Sequence, residues 1–336
     1  MRTLLIPILF ILYGCSNNSD DSQNKIVENI SDDSIWCVPI ENIAGGTLNF
    51  PLIENPQFNS VSEIEAIGIL NNSSKVALLK INDQVYVFPY DYTNYYEVIN
   101  GNFGNHYLAI SYCPITESAL CFDRKISENE TINMKASGYL YKENLVISDS
   151  CSKYFWSQML NEGVKNSSKD IKLNTINIVE TRWYIVKNYF QNALVFNHPN
   201  LLNCQCDGSI ESIDMDNQFG VISNDIRKSV HLYGYDNFTT GTEIKYLNLN
   251  GKDIIIIGNK ENIFINAFYI PTNLNFETLD LNMFQKILKD NHGNIWDIFG
   301  YAVEGPDIGH RLDSPKSYIA APWAWNEFFD NITVHN

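Results

Sequence analysis

Positive charge is scarce in this sequence. Lys and Arg number 23 against 39 Asp and Glu, a formal net charge of −16. So acidic a chain offers no basic surface to nucleic acid, and none to anionic lipid head groups. Histidine is thin as well: the 6 residues His106, His198, His231, His292, His310 and His335 are scattered and mostly in polar context. Histidines placed in this way are ordinarily neither ligands nor catalysts. There is no G-x-S-x-G, no phosphate-binding glycine loop and no H-E-x-x-H. Cys204-Gln205-Cys206 has no second cysteine pair beside it, so no zinc spacing is present. The expectation is therefore no metal, no cofactor and no nucleic-acid partner.

Long apolar runs are also missing, apart from Leu4–Tyr13 near the start, which is too short for a stop-transfer helix. It follows a short basic start and ends in Leu12-Tyr13-Gly14-Cys15. A branched apolar residue three before a cysteine, with a small residue directly before it, resembles a bacterial lipobox. This predicts a signal peptide over 1–14 and lipidation of Cys15, which makes the membrane a partner. Buried acyl chains gain about 0.8 kcal/mol per CH₂, so two or three chains hold a protein at the bilayer surface. Residues 15–35 are polar and acidic and read as a flexible tether. Asp20-Asp21 resembles the export signal of bacterial surface lipoproteins. The expected location is the cell envelope, lipid-anchored, at the outer membrane.

What the remainder does have is apolar and aromatic residues, 45% and 13% of the chain, enough for a sizeable core. "KVALLKI" (75–81) and "QVYVFP" (84–89), joined by Asn82-Asp83, predict a hairpin. "HYLAISYC", "SALCFD", "ASGYLY" and "NLVIS" predict further strands. Short helices are expected in "YTNYYEVIN" and in "RWYIVKNYF" (182–190). The order then repeats. "VYVFPYD" at Val85 returns as "VHLYGYD" at Val230, an offset of 145, and "YFQNALVF" returns as "FFDNITVH" at an offset of 139. Asp149 leads to Trp156 as Asp290 leads to Trp296. The fold class read from this is mainly β, α+β with a few short helices, built as two tandem, pseudo-symmetric β-rich lobes from an internal duplication. The first lobe is placed at 36–200, a linker at 201–228 and the second lobe at 229–336.

Six cysteines lie beyond Cys15: Cys37, Cys113, Cys121, Cys151, Cys204 and Cys206. Disulfides persist outside the cytoplasm, and fifteen complete pairings are open to six cysteines. Cys113 lies in "ISYCPITESALCFDR", where it ends a strand and Pro114 removes the next backbone donor. A thiol at a strand end, with Arg124 favouring its thiolate, is one reading. A small buried residue or a disulfide half is the other. The second half has "GNKENIFINAFYI" at the matching place, so a chemical site would belong to the first half and lie against the second.

The segments "NFPLIENPQF", "VFPYDYTNYYEVIN", "SYCPITESALCFDR", "ASGYLYKENLVISDS" and "WDIFGYAVEGPDIGHRL" resemble, in this order, the bacterial "domain of unknown function 3179" family. The resemblance runs from about Trp36 to the C-terminus. It implies a shared fold and brings no established activity. Some members carry selenocysteine, which implies redox chemistry at the cysteine motif. This chain departs from the pattern: the family's second motif cysteine is Thr116, its histidine before Glu97 is Tyr96, and its arginine after "NLV" is Ser150. A dithiol acts because one thiol attacks and the other resolves the mixed disulfide; Thr116 leaves no local resolving thiol. The candidate catalytic residues are Cys113, Thr116, Glu97, Asp123 and Arg124. The candidate binding residues are Tyr96, Ser137, Asp149, Trp156 and Gln158. Trp156 also reads as a core anchor, because Trp296 occupies the matching place.

Two functions are weighed. One is a membrane-anchored, non-enzymatic protein that binds a small molecule or an envelope protein between its lobes. The alternative is a thiol-dependent redox protein acting through Cys113.

Overall fold

Asn82 and Asp83 turn the chain back on itself. Asn82 takes φ 53°, a left-handed conformation that asparagine tolerates. Strands Lys75–Ile81 and Gln84–Pro89 then pair antiparallel, starting from Ile81 opposite Gln84. The computed structural model describes residues 35–197, 214–223, 229–279 and 284–335. Cys15, the tether up to 34, Cys204, Cys206 and most of 201–228 lie outside the described residues.

The chain is mainly β, with four α-helices of 7 residues each among the described residues. The predicted strands are all present, with His106–Cys113 and Ser118–Asp123 as written. The helix expected in "YTNYYEVIN" runs Tyr90–Tyr96 and stops at Glu97. "VIN" already belongs to the strand Val98–Phe103. The β-branched Val98 and Ile99 suit a strand better than a helix end.

Two sheets share one connectivity. In the first, Val179–Arg182, Lys75–Ile81, Gln84–Pro89 and Leu194–Phe196 lie side by side, the last parallel to its neighbour. In the second, Ser317–Ala320, Gln218–Ile222, Ser229–Gly234 and Asn331–Val334 follow the same order, the last again parallel. A parallel neighbour requires a crossover. Helix Trp183–Tyr189 carries the chain from the first of these strands across to the last, and helix Pro322–Phe328 does the same in the other half. Gln218–Ile222 falls inside the stretch read as a linker, yet it is an inner strand of the second sheet.

The halves do not keep separate cores. One core joins Val76, Leu78 and Ile110 to Ile255, Ile257, Phe268 and Trp296. Another joins Cys113, Val146 and Trp156 to Val230, Tyr318 and Trp325. Strand Lys252–Asn259 explains the mixing. Ile255 and Ile257 face the first core while Ile254 and Ile256 face a third, and all four are 0% exposed. A strand buried on both faces loses its polar alternation and reads as a continuous apolar run. Each such side chain contributes about 1.5–3 kcal/mol on burial. The two halves are therefore packed against each other through shared cores.

The N-terminal side of the body is fastened at Trp36. Cys37 N donates to Val164 O at 2.9 Å and Asn166 N to Ile35 O at 2.9 Å. Lys165, 6% exposed, sits among the rings of Trp36, Tyr139 and Phe155.

Candidate functional site

Cys113 is the last residue of its strand, opposite Ser118. Cys121 lies opposite Ile110 in the same pair of strands. Alternation therefore sends the two thiols to opposite faces of the sheet, Cys113 to one core and Cys121 to another. Both are free thiols, and this register keeps them from pairing. Cys37 is a free, exposed thiol. Cys151 lies exposed in the turn after Asp149.

Beneath Cys113 runs a polar network whose members are all 0% exposed: Ser111, Thr116, Ser118, Asn144 and Gln158. Asn144 Nδ2 donates to Thr116 Oγ1 at 2.9 Å and to Gln158 Oε1 at 2.8 Å. Ser118 Oγ donates to Gln158 Oε1 at 2.8 Å, and Gln158 Nε2 donates to Ser111 Oγ at 2.9 Å. Asn144 Oδ1 accepts Met159 N at 3.1 Å. Thr116 therefore serves this network as a hydrogen-bonding hydroxyl, which both donates and accepts where a thiol does either weakly. The motif also touches the second half: Ala321 N donates to Thr116 O at 2.9 Å and Asn217 Nδ2 to Glu117 Oε2 at 2.7 Å.

Glu97 stands beside Cys113. Its backbone takes φ 56° to end helix Tyr90–Tyr96, a left-handed conformation that costs a non-glycine residue about 1 kcal/mol. Its carbonyl accepts Tyr112 N at 2.8 Å. Burial raises the Glu97 carboxyl to about 7. Burial also pushes the Cys113 thiol above its ordinary value, and the Glu97 charge adds to that; hydrogen bonds from Thr116 and from the Leu145 backbone pull the other way. With the thiol 1% exposed, the site stores a neutral sulfur rather than a thiolate.

The other candidates lie elsewhere. Arg124 follows the far end of strand Ser118–Asp123, about 20 Å along it from Ser118, the partner of Cys113. It does not reach Cys113, and the expected lowering of the thiol is corrected by this distance. Arg124 instead clamps Gly101 O, Asn102 and Asn133, and Asp123 accepts Lys125 N at 2.9 Å. Ser137 fills a bulge, donating to Val146 O at 2.6 Å. Asp149 holds a turn by accepting Lys153 N at 2.7 Å and Tyr154 N at 2.6 Å. Asp290 holds the matching turn, accepting His292 N and Asn294 N, each at 2.9 Å. Trp156, 0% exposed, is a core anchor whose Nε1 donates to Ile171 O at 2.9 Å. Tyr96 is buried against Tyr95 and Phe196.

Two further constellations were not anticipated from the residues, and they mark opposite ends of one strand. At its start, Lys75 and Glu180 form an ion pair at 3.4 Å, 1% and 3% exposed. The Lys75 ammonium lies beside the stacked rings of Tyr90 and Tyr112, 5.1 and 5.9 Å from their centroids. Burial raises the Glu180 carboxyl, against the pull of Lys75. Near its end, Lys80 Nζ donates to Asp297 Oδ2 at 2.6 Å over the ring of Tyr301. This second pair lines a cleft of about 550 Å³ walled by Gln84, residues 188–193, residues 284–286 and Phe299. Both halves of the chain supply its walls. The signal in the sequence was a lysine near each end of an otherwise apolar strand, Lys75-Val-Ala-Leu-Leu-Lys80.

Among the described residues, no group of three or more His, Cys, Asp or Glu is arranged to hold a metal ion. No helix there is long and apolar enough to cross a membrane. None of the curated proteins and none of the solved structures compared with the chain matches it. A family model described as "Protein of unknown function (DUF3179)" matches residues 48–332, which include both ion pairs and the Cys113 motif. That match spans most of the chain, which therefore belongs to the DUF3179 family.

Proposed function

We propose that this is a lipid-anchored protein of the cell envelope that binds a small molecule or an envelope partner in the cleft between its two halves, without transforming it. One observation carries the reading: the cleft of about 550 Å³ draws its walls from both halves and has convergent polar groups, with the Lys80–Asp297 pair among them. Specific sites are concavities in which a few placed polar groups fix orientation. The anchor rests on the Leu12–Cys15 motif. The shared connectivity of the two sheets supports reading the halves as copies of one unit.

The test is thermal unfolding of the full chain in detergent against a panel of sugars, amino acids, short peptides and nucleosides. A ligand present at about a hundred times its Kd stabilises by about 2.7 kcal/mol. A saturable upward shift that is lost in Lys80→Met supports the reading; a panel with no shift counts against it. Cys15→Ser is expected to release the chain from the membrane fraction.

A second reading is favoured by one observation, the Glu97 carboxyl at about 7 beside the Cys113 thiol. Such a carboxylate is suited to take a thiol proton near neutrality, as a thiol-dependent redox role through Cys113 requires. Against it stand the 1% exposure of the sulfur and its raised titration.

A further inference from the structure

We infer that the cleft takes a neutral glycan; the inference rests on the cleft reading above and names its ligand class. The charges on the walls cancel: Lys80 and Lys286 stand against Asp83 and Asp297. Lys80 is committed to Asp297, and Lys286 pairs with Glu304. No arginine lines the cleft, so the planar fork that recognises carboxylate or phosphate is missing. With a chain charge of −16, an anionic ligand gains no long-range attraction.

What the walls do present is side-chain amides. Gln84 spends its amide N–H groups on Val85 O at 2.9 Å and Asn192 O at 3.2 Å, while Asn188 and Gln285 each spend one, on Tyr184 O and Tyr189 O, both at 2.6 Å. Their oxygens remain as acceptors. Gln191 and Asn192 are exposed at the rim with both amide functions available. A wall of amides offers acceptors and donors together without charge, and hydroxyls, which both donate and accept, answer both. The Lys80 ammonium is held rigid by Asp297 and the Tyr301 ring, and it adds donors for a ring or hydroxyl oxygen. Tyr189 is half-buried, with its ring fixed against Phe284 at a centroid distance of 5.3 Å. A fixed aromatic face complements the C–H face of a pyranose, while the amides read its polar edge. The two features together match the two-sided character of a sugar ring.

The experiment titrates the full chain in detergent, by calorimetry, with cellotetraose, mannotetraose, maltotetraose and chitotetraose. Tetragalacturonate and tetra-alanine are the contrasting probes. The expected result is binding of at least one neutral tetrasaccharide, weakened at least tenfold in Tyr189→Ala and in Asn192→Ala, with the unfolding temperature of each free variant within 2 °C or so of the parent. Binding of tetragalacturonate or tetra-alanine alone, sensitive to Lys80→Met, overturns the glycan inference and leaves the cleft reading standing. Binding of no probe overturns the glycan inference and withdraws support from the cleft as well. Sugar binding that is untouched by both wall variants also overturns it, because the sugar then sits elsewhere.

Discussion

Lys80 and Asp297, 217 positions apart in the chain, are joined at 2.6 Å. The lysine comes from the first hairpin and the aspartate from a turn in the second half. Asp297 Oδ1 also accepts Phe299 N and Tyr301 N, each at 2.9 Å. One carboxylate thus closes its own turn and ties the halves together at the cleft. Burial pushes its carboxyl up, while Lys80 and the two backbone N–H groups pull it down.

Removing one partner of this pair strands the other. Lys80→Met leaves Asp297, 4% exposed, without its counter-charge, and is expected to cost about 3 kcal/mol. Adding Asp297→Asn recovers more than half of that loss, since an amide still accepts the turn N–H groups. Urea unfolding of the two single variants and the double variant measures the coupling.

The Lys75–Glu180 pair predicts a sharper asymmetry. Either Lys75→Met or Glu180→Gln alone is expected to destabilise by about 3–5 kcal/mol, and Lys75→Met with Glu180→Leu by far less. A double variant as unstable as the sum of the singles contradicts the assignment of this pair as a mutually compensating one.

Glu97 sets a pH dependence whose sign is fixed. Its folded carboxyl titrates at about 7, above the ordinary value of 4.5. Between these values the folded state holds a proton that the unfolded state has released, so this group makes stability fall as pH rises through the window. Above about 7 its effect is constant. The loss amounts to roughly 3 kcal/mol. Glu97→Gln is expected to remove it: little change at pH 4, stabilisation at pH 8. Chemical denaturation at the two pH values checks this.

Much of the fold was legible, because half-buried strands and their turns carry local signals. Asn82-Asp83 announced a hairpin, and "HYLAISYC" and "SALCFD" announced strands. The sharing of cores was not legible: Ile254–Ile257 reads only as an apolar run, and a run does not say which two layers it separates. Around Cys113 the sequence named the thiol, Thr116, Glu97 and Gln158, which the fold brings together. It did not name Ser111, Ser118 or Asn144, because common polar residues become a network only when strands bring them into one buried place. Arg124 was misplaced for a related reason. Nearness in sequence along a strand is distance in space, and the six steps from Ser118 to Arg124 carry a side chain past the whole length of the strand.

The buried network offers a test of its own. Gln158→Leu leaves Asn144, Ser118 and Ser111 each short of a partner and is expected to cost about 3 kcal/mol. In the intact protein, iodoacetamide is expected to label exposed Cys37 promptly and Cys113 only on unfolding. Mass spectrometry of the labelled peptides reads both.

Hydrogen exchange of the full chain, with and without the best ligand from the sugar, amino-acid, peptide and nucleoside panel, tests the binding account most directly. The account predicts new protection in residues 188–193 and 284–286 together, one wall from each half, with residues 113–117 unchanged. Protection confined to residues 113–117 would contradict it and move the function to the cysteine motif.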